Sequence, residues 1–246
     1  MIQGSLLPVG VVGVHQATPF NSADKAVFVI GSDSQDYVAK LPSPENPALA
    51  VAEHLCHFLC ARAGIAVPSH VILEFEDGRH AFGSRFEGGV SQFSSMDAPE
   101  RLKAIQECRN IIFQICVMDA FISNPDRHLD NLLFRTSPFD GRWTVIAMDF
   151  SRALWRNSFP ETAPSHIFEH GNTATLVRLL GRFGAFDARI PAIVAGVLQA
   201  ITPERITTCL AELPATLHCN EFSTFTAWWG SDERLRRIDA LLELPL

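Results

Sequence analysis

The sequence has no C-x-x-C pair, no cluster of Lys and Arg, and no apolar run near the about 20 residues that a membrane-spanning helix needs. The first absence matters because the chain carries six cysteines, and that spacing is what redox and zinc motifs commonly use. Four of the six fall in helix-like apolar segments and read as buried free thiols. Cys56, His57 and Cys60 lie within one helical turn, yet a structural zinc takes four ligands and no fourth is evident nearby, so zinc is not expected. The second absence, with 20 basic against 27 acidic residues and a net charge of −7, argues against a nucleic-acid surface. The third, with a start that has no basic n-region and is interrupted by Pro8 and Gly10, predicts a cytoplasmic protein without a membrane span. Internal repeats and low-complexity tracts are also missing.

What is present is a 246-residue chain, 47% hydrophobic, able to bury one large core or two lobes of about 100 residues each. Its first part reads as β-structure. Strands are predicted over 9–15, 26–30 and 36–41, with a polar stretch at 17–24 between the first two. On the third strand Val38 and Lys40 share one face while Tyr37, Ala39 and Leu41 share the other. Lys40 is then either an edge lysine snorkelling to water or a cation held inside. A helical stripe over 48–63 ends at Gly64, and Glu53 lies on its flank. Glu53 is either a solvated helix residue or a carboxylate facing the core, which needs a partner, and Lys40 is the nearest strand cation upstream. Two more strands, 66–75 and 81–86, join through Asp77-Gly78, and Glu87-Gly88-Gly89 marks a hinge.

From Pro99 onward the pattern turns helical. A long buried helix is expected over 100–122, with Asp119 near its end to brace the polar loop that follows. Further helices are expected over 173–183, 188–200, 203–213 and 232–242, packed together by Trp228 and Trp229, whereas 152–170 shows no regular pattern. The fold class is therefore α+β with two lobes: a small, mostly antiparallel β-rich lobe with one helix over 1–88, and a larger helical lobe over 89–246.

The chemistry gathers in SNPDRHLDNLLFRTSPFDGRWTVIAMDFSRAL, residues 123–154. Asp126 and Asn131 lie in a short polar loop, a strand begins at Leu132, Asp140-Gly141 supplies a hairpin turn, and an apolar strand over 143–148 ends at Asp149. With Asp140 and Gly141 at the centre of the turn, paired positions sum to 281, so Asn131 faces 150 and Asp149 faces 132. Their side chains would then leave the open end of one ladder roughly 5–6 Å apart, a clamp for a divalent metal.

A strand lysine, a helix glutamate, a hinge, D-x-x-x-x-N, a hairpin and D-F come in the order that phosphoryl transfer uses. A lysine neutralises phosphate oxygens and a glutamate holds it. An aspartate sits beside the acceptor hydroxyl, and an amide with a second carboxylate holds magnesium. SNPDRHLDNLLF followed by VIAMDFSRAL, with Lys40 and with Glu53 in AEHLCHFLCARAGIAVP, resembles the HipA-like serine/threonine kinases, in particular their short single-domain members, over about residues 27–154. That resemblance implies a protein-kinase-like fold, ATP and Mg²⁺ as cofactors, Lys40 and Glu53 as the nucleotide-anchoring pair, Asp126 as the catalytic aspartate, and Asn131 and Asp149 as metal ligands. It also implies a protein substrate and a neutralising, antitoxin-like partner. Asp126-Arg127-His128 and Asp149 are similar as well to phosphatidylinositol kinases, which share this divergent kinase-like fold. Two features depart from conventional protein kinases. Residues 18–24 have no glycine where a phosphate loop is expected, leaving Ser22 and neighbouring amides to cover the nucleotide, and Asp149-Phe150-Ser151 replaces D-F-G. The expected activity is ATP- and magnesium-dependent phosphorylation of a protein serine or threonine. Lipid or small-molecule phosphorylation, or a nucleotide-binding pseudokinase that regulates a partner, are the alternatives.

Overall fold

In a computed structural model, which describes residues 7–15 and 26–245, the N-terminal strands close into a barrel. They are β1 (Val9–Val14), β2 (Val27–Gly31), β3 (Asp36–Lys40), β4 (His70–Glu74) and β5 (His80–Arg85), in the order β1-β2-β3-β5-β4. All neighbours are antiparallel except β1 and β4, whose parallel pairing, Val9 with Leu73 and Gly10 with Glu74, shuts the barrel. A barrel of five strands leaves little room inside. Val29, Tyr37, Ala39, Leu73 and Ala81 fill it, and a Cβ on Gly83 would stand 2.6 Å from the Leu73 side chain, so only glycine fits there. β4 starts four residues later than expected from the apolar run, after Pro68, which has no N–H to give to a ladder.

The alternation read from β3 holds. Tyr37 and Ala39 point into the barrel, leaving Val38 and Lys40 to line the cleft on its other side. Helix α1 (Leu49–Arg62) crosses behind the strands, with Leu49 through His57 buried without a break. Its second side is covered from the far end of the chain. His54 donates Nε2–H to the carbonyl of Cys209, 2.9 Å away, and so its Nδ1 accepts from His70 Nε2 at 3.0 Å.

The second lobe is built on α2 (Ala98–Phe121), about 36 Å long at 1.5 Å per residue. Its start lies two residues ahead of the apolar pattern because a capping box sets it: Glu100 N–H donates to Asp97 Oδ1 at 2.8 Å and Asp97 N–H to Glu100 Oε2 at 3.1 Å. β6 (Ser91–Gln92), β7 (Leu132–Thr136) and β8 (Trp143–Ala147) form a small sheet on it, and α3 (Pro164–Glu169), α4 (Gly171–Arg182), α5 (Arg189–Ala200), α6 (Pro203–Ala211), α7 (Asn220–Trp229) and α8 (Asp232–Asp239) pack around it. α3 and α7 occupy stretches where no helix was expected. Trp228 and Trp229 do pack the helices together: Trp229 meets Phe121 edge to face at 5.9 Å between ring centres, and Trp228 meets Phe159 at 4.7 Å. Among the described residues no helix is long and apolar enough to cross a membrane.

The β7–β8 hairpin corrects the expected register. Leu132 pairs with Ala147 and Thr136 with Trp143, so paired positions sum to 279 rather than 281. Pro138 opens a wider loop, closed by Ser137 N–H to Arg142 O at 2.8 Å and by Gly141 N–H to Ser137 O at 2.9 Å. Gly141, at φ +66°, ends that loop instead of sitting at its centre. Asn131 therefore faces Met148 and not Phe150, and strand alternation cannot be what aims Asn131 and Asp149.

Candidate active site

Lys40, Glu53, Asp126, Asn131 and Asp149 all line one cleft of about 750 Å³ between the barrel and the second lobe. Ser22 and the expected phosphate-covering stretch 18–24 lie outside the described residues. Neither the snorkelling lysine nor the solvated glutamate is what the structure holds, for Lys40 is 7% exposed and Glu53 1%. The Lys40 ammonium donates to Glu53 Oε1 and to Asp149 Oδ1, the latter at 2.8 Å. Glu53 Oε1 also accepts the Phe150 N–H at 3.0 Å, so α1 grips both β3 and the segment after β8. Burial works against the Lys40 charge, but the carboxylates of Asp149 and Glu53 outweigh it and hold the ammonium protonated well above its usual range. Burial likewise raises the Asp149 carboxyl, and Lys40 with the Ser151 donors more than reverses this, keeping it ionised far below the usual carboxylate range. Glu53, with almost no water contact, is pushed up by burial.

Asp149 adopts φ +60°, a left-handed conformation that aspartate tolerates when its side chain bonds the following backbone. Here Asp149 Oδ1 accepts Ser151 Oγ–H at 2.7 Å and Ser151 N–H at 3.3 Å. A serine in place of glycine two residues after the aspartate thus supports this turn.

Arg127 does the work expected of the ladder. It is fully buried, and its Nε and Nη2 donate to the two oxygens of Asp119 at 2.9 and 3.1 Å. Its Nη1 donates to Asn131 O at 3.1 Å and to Met148 O, and its guanidinium lies 4.8 Å over the Phe150 ring. One side chain therefore ties the end of α2, the polar loop and the end of β8. Asp119 braces the loop as expected, with a further bond from Asn124 Nδ2 at 2.7 Å. Burial raises the Asp119 carboxyl, and burial opposes but does not overcome the rise that Asp119 imposes on Arg127.

Asp126 is held by one residue of its own loop and by one far along the chain. Asn172 Nδ2 donates to its Oδ1 at 2.6 Å, and Asn131 Nδ2 donates to its backbone oxygen at 3.0 Å. Thr173 N–H donates to Pro125 O at 2.9 Å and Thr173 Oγ1 accepts Arg127 N–H at 3.0 Å, which docks the start of α4 onto the loop. Gly171, at φ +82°, permits this approach, since a Cβ there would lie 2.6 Å from the Pro125 oxygen. Asn172, Thr173 and Gly171 were not singled out from the sequence, because their role depends on a contact across more than forty residues. Arg127 sat inside the quoted motif but carried no sign of its burial.

Neither a protein-family model nor a curated protein matches the sequence. Solved structures do match. A proinflammatory kinase, CtkA, from Helicobacter pylori aligns at TM-score 0.61 and 11% identity over 96% of this chain and 98% of its own. HipA of Shewanella oneidensis MR-1, solved with HipB and operator DNA, aligns at 0.54 and 14% identity over 99% of this chain and 68% of its own. The Rio2 kinase of Chaetomium thermophilum, solved as an ADP/Mg²⁺-phosphoaspartate complex, aligns at 0.55 and 13% identity over 95% of this chain and 72% of its own. At such identities the likeness speaks for the fold, and the chain has the two-lobed, α+β, kinase-like fold that HipA, CtkA and Rio2 share.

Proposed function

We propose that this protein is an ATP- and magnesium-dependent phosphotransferase that passes the γ-phosphoryl group to the hydroxyl of a protein serine or threonine. The observation that carries the reading is Lys40, buried and bonded at once to Glu53 and Asp149 in a cleft that Asp126 and Asn131 also line. Lysine at that place neutralises nucleotide phosphates, with Glu53 fixing its position. In this reading 1–88 is the nucleotide-binding lobe and 89–246 the catalytic lobe.

The donors suit magnesium. Asn131 commits its Nδ2 to Asp126 O, leaving the amide oxygen, and Asp149 is an ionised carboxylate, 35% exposed toward the cleft; both are hard oxygen ligands. Magnesium would supply charge neutralisation between the phosphates. Asp126 orients the acceptor hydroxyl and accepts its proton, and Asn172 holds the carboxylate in register for that step. The kinase-like neighbours support the same reading, since Rio2 was solved with ADP and Mg²⁺ and HipA with its partner HipB.

The test combines calorimetric titration of ATP with magnesium and mass measurement after incubation with both and with a serine-containing protein mixture. Magnesium-dependent ATP binding, lost in Asp149→Asn and weakened in Lys40→Met, with phosphate appearing on protein hydroxyls, is the expected result. ATP affinity that ignores magnesium, or unchanged affinity in Lys40→Met, refutes the assignment.

A further inference from the structure

Helix α8 carries a buried arginine that the site as described so far does not use. Arg237 is 6% exposed, and its five N–H groups go to four carbonyls and one hydroxyl. Nε donates to Phe121 O at 2.7 Å, Nη2 to Ala120 O at 3.1 Å and to Ser123 Oγ at 2.8 Å, and Nη1 to Pro160 O at 2.9 Å and to Thr162 O at 2.6 Å. A guanidinium has five such donors, so all of them are engaged. The Phe159 and Phe121 rings pack against it, with centres 4.7 and 5.9 Å away. Burial draws the group down to about 10, which leaves it charged at neutral pH.

The acceptors explain why an arginine stands there. α2 ends at Phe121, and the carbonyls of residues 119–122 have no partner in the helix itself. Asp119 O accepts Asn124 N–H at 2.8 Å, Ile122 O accepts Leu154 N–H at 2.6 Å, and Arg237 takes the two between them. A cation at this end also suits the helix dipole. Ser123 follows at φ +53°, a left-handed position where helices commonly place glycine. A serine buried at that point supplies the hydroxyl that Nη2 meets. Asp126 comes three residues later. On the other side Thr162, whose carbonyl Arg237 holds, donates Oγ1–H to Asn157 O at 2.8 Å and N–H to Ser158 O at 2.9 Å. Asn157, Pro125 and Asp126 line a cavity of about 390 Å³ that shares Asp126 with the cleft.

Resting on the phosphotransferase reading, we propose that Arg237 is a positioning residue for phosphoryl transfer: from α8 it fixes the loop that carries Asp126 and the 157–162 segment beside it, and so sets where an acceptor hydroxyl meets Asp126. Arg127 fixes a different set of atoms, the carbonyls of Asn131 and Met148 on the metal side. The two buried arginines therefore divide the site. Disturbing Arg127 reaches magnesium and nucleotide binding, whereas disturbing Arg237 spares that binding and slows transfer.

The experiment compares the wild-type chain with Arg237→Lys and Ser123→Gly. Lysine keeps the charge but has three donors on one nitrogen and no fork, so it cannot serve five acceptors. Glycine suits the left-handed backbone and removes the hydroxyl. Calorimetry in magnesium gives ATP affinity and the number of binding sites, ADP formation with the serine-containing protein mixture gives turnover per titrated site, and amide hydrogen exchange reads the backbone. Turnover per site should fall by about tenfold to a hundredfold in Arg237→Lys, the scale of a small displacement of a reacting group, and by less in Ser123→Gly. ATP affinity should stay close to wild type in both. Exchange should quicken over 122–126 and 154–162 and stay slow over 131–149. Counting only molecules that bind ATP sets unfolded protein aside, and if Arg237→Lys leaves no sites to count, Ser123→Gly decides the matter. Wild-type turnover per site, ATP affinity that falls in step with turnover, or exchange that rises evenly along the chain overturns the proposal. A folded wild-type chain that forms no ADP with any acceptor brings down the phosphotransferase reading instead, and the exchange pattern then decides by itself whether Arg237 holds the loop.

Discussion

Removing Asp119 should be the most damaging single change near the site that touches no substrate. Asp119→Ala leaves the Arg127 guanidinium fully buried, with the Asn131 and Met148 carbonyls as hydrogen-bond partners and no adjacent carboxylate at its Nε and Nη2. Breaking a buried ion pair from one side costs roughly 3–5 kcal/mol, a large share of the about 5–15 kcal/mol that holds a domain folded. That is about a hundredfold to a few thousandfold in the unfolding equilibrium. Guanidinium unfolding followed by circular dichroism measures it. The double variant Asp119→Leu, Arg127→Met replaces the pair with apolar groups and should recover most of the lost stability, because neither charge is then stranded. It should not recover ATP affinity in magnesium, because the Asn131 and Met148 carbonyls have lost the donor that joins them. A cost below about 1 kcal/mol for Asp119→Ala would refute the argument from burial. Wild-type ATP affinity in the double variant would refute the claim that Arg127 holds the loop and the end of β8 together.

Three further outcomes are expected. Asp126→Ala should lower turnover by at least about 10² while ATP binding measured by calorimetry stays close to wild type, since in the proposed reading it removes a positioned acid–base group; near-normal turnover would exclude Asp126 from the chemistry. Gly171→Ala puts a Cβ 2.6 Å from the Pro125 oxygen at φ +82° and should cost roughly 1–3 kcal/mol in denaturant unfolding, together with lower turnover as Asn172 shifts from Asp126; unchanged turnover would show that the α4 contact is dispensable. Burial lowers His54, His57 and His70, the last to about 4, so all three resist protonation in the folded chain, whereas in the unfolded chain they protonate near 6.5. Their contribution to stability is complete above about pH 6.5 and is lost as pH falls from there toward 4, so the denaturation midpoint should drop between pH 7 and 5, and less so in His70→Phe; a flat midpoint in both proteins would contradict it.

How much of this was readable beforehand differs from residue to residue. The orientation of Lys40 followed from two-residue alternation on a short strand, and α1 and α2 followed from apolar spacing, because those periods are properties of the local backbone. The closure of the barrel did not, since the β1–β4 pairing joins residues more than sixty apart and is settled by which strands meet after the chain folds. α7 was missed, as its sequence, NEFSTFTAWW, is short and its helix forms by packing Phe225, Trp228 and Trp229 on the core.

The sequence alone determined which residue types stand at which intervals: a strand lysine, a helix glutamate, and an aspartate, an amide and a second aspartate around one hairpin. Tertiary structure decided how they converge. The register read from Asp140-Gly141 was displaced, because Pro138 widened the turn, and the ladder ends before either Asn131 or Asp149. What brings those two to one cleft is a buried guanidinium bonded to the carbonyls of Asn131 and Met148, and a left-handed aspartate steadied by Ser151. Burial of a charge depends on everything packed around it, and strand alternation along one segment carries no record of those neighbours.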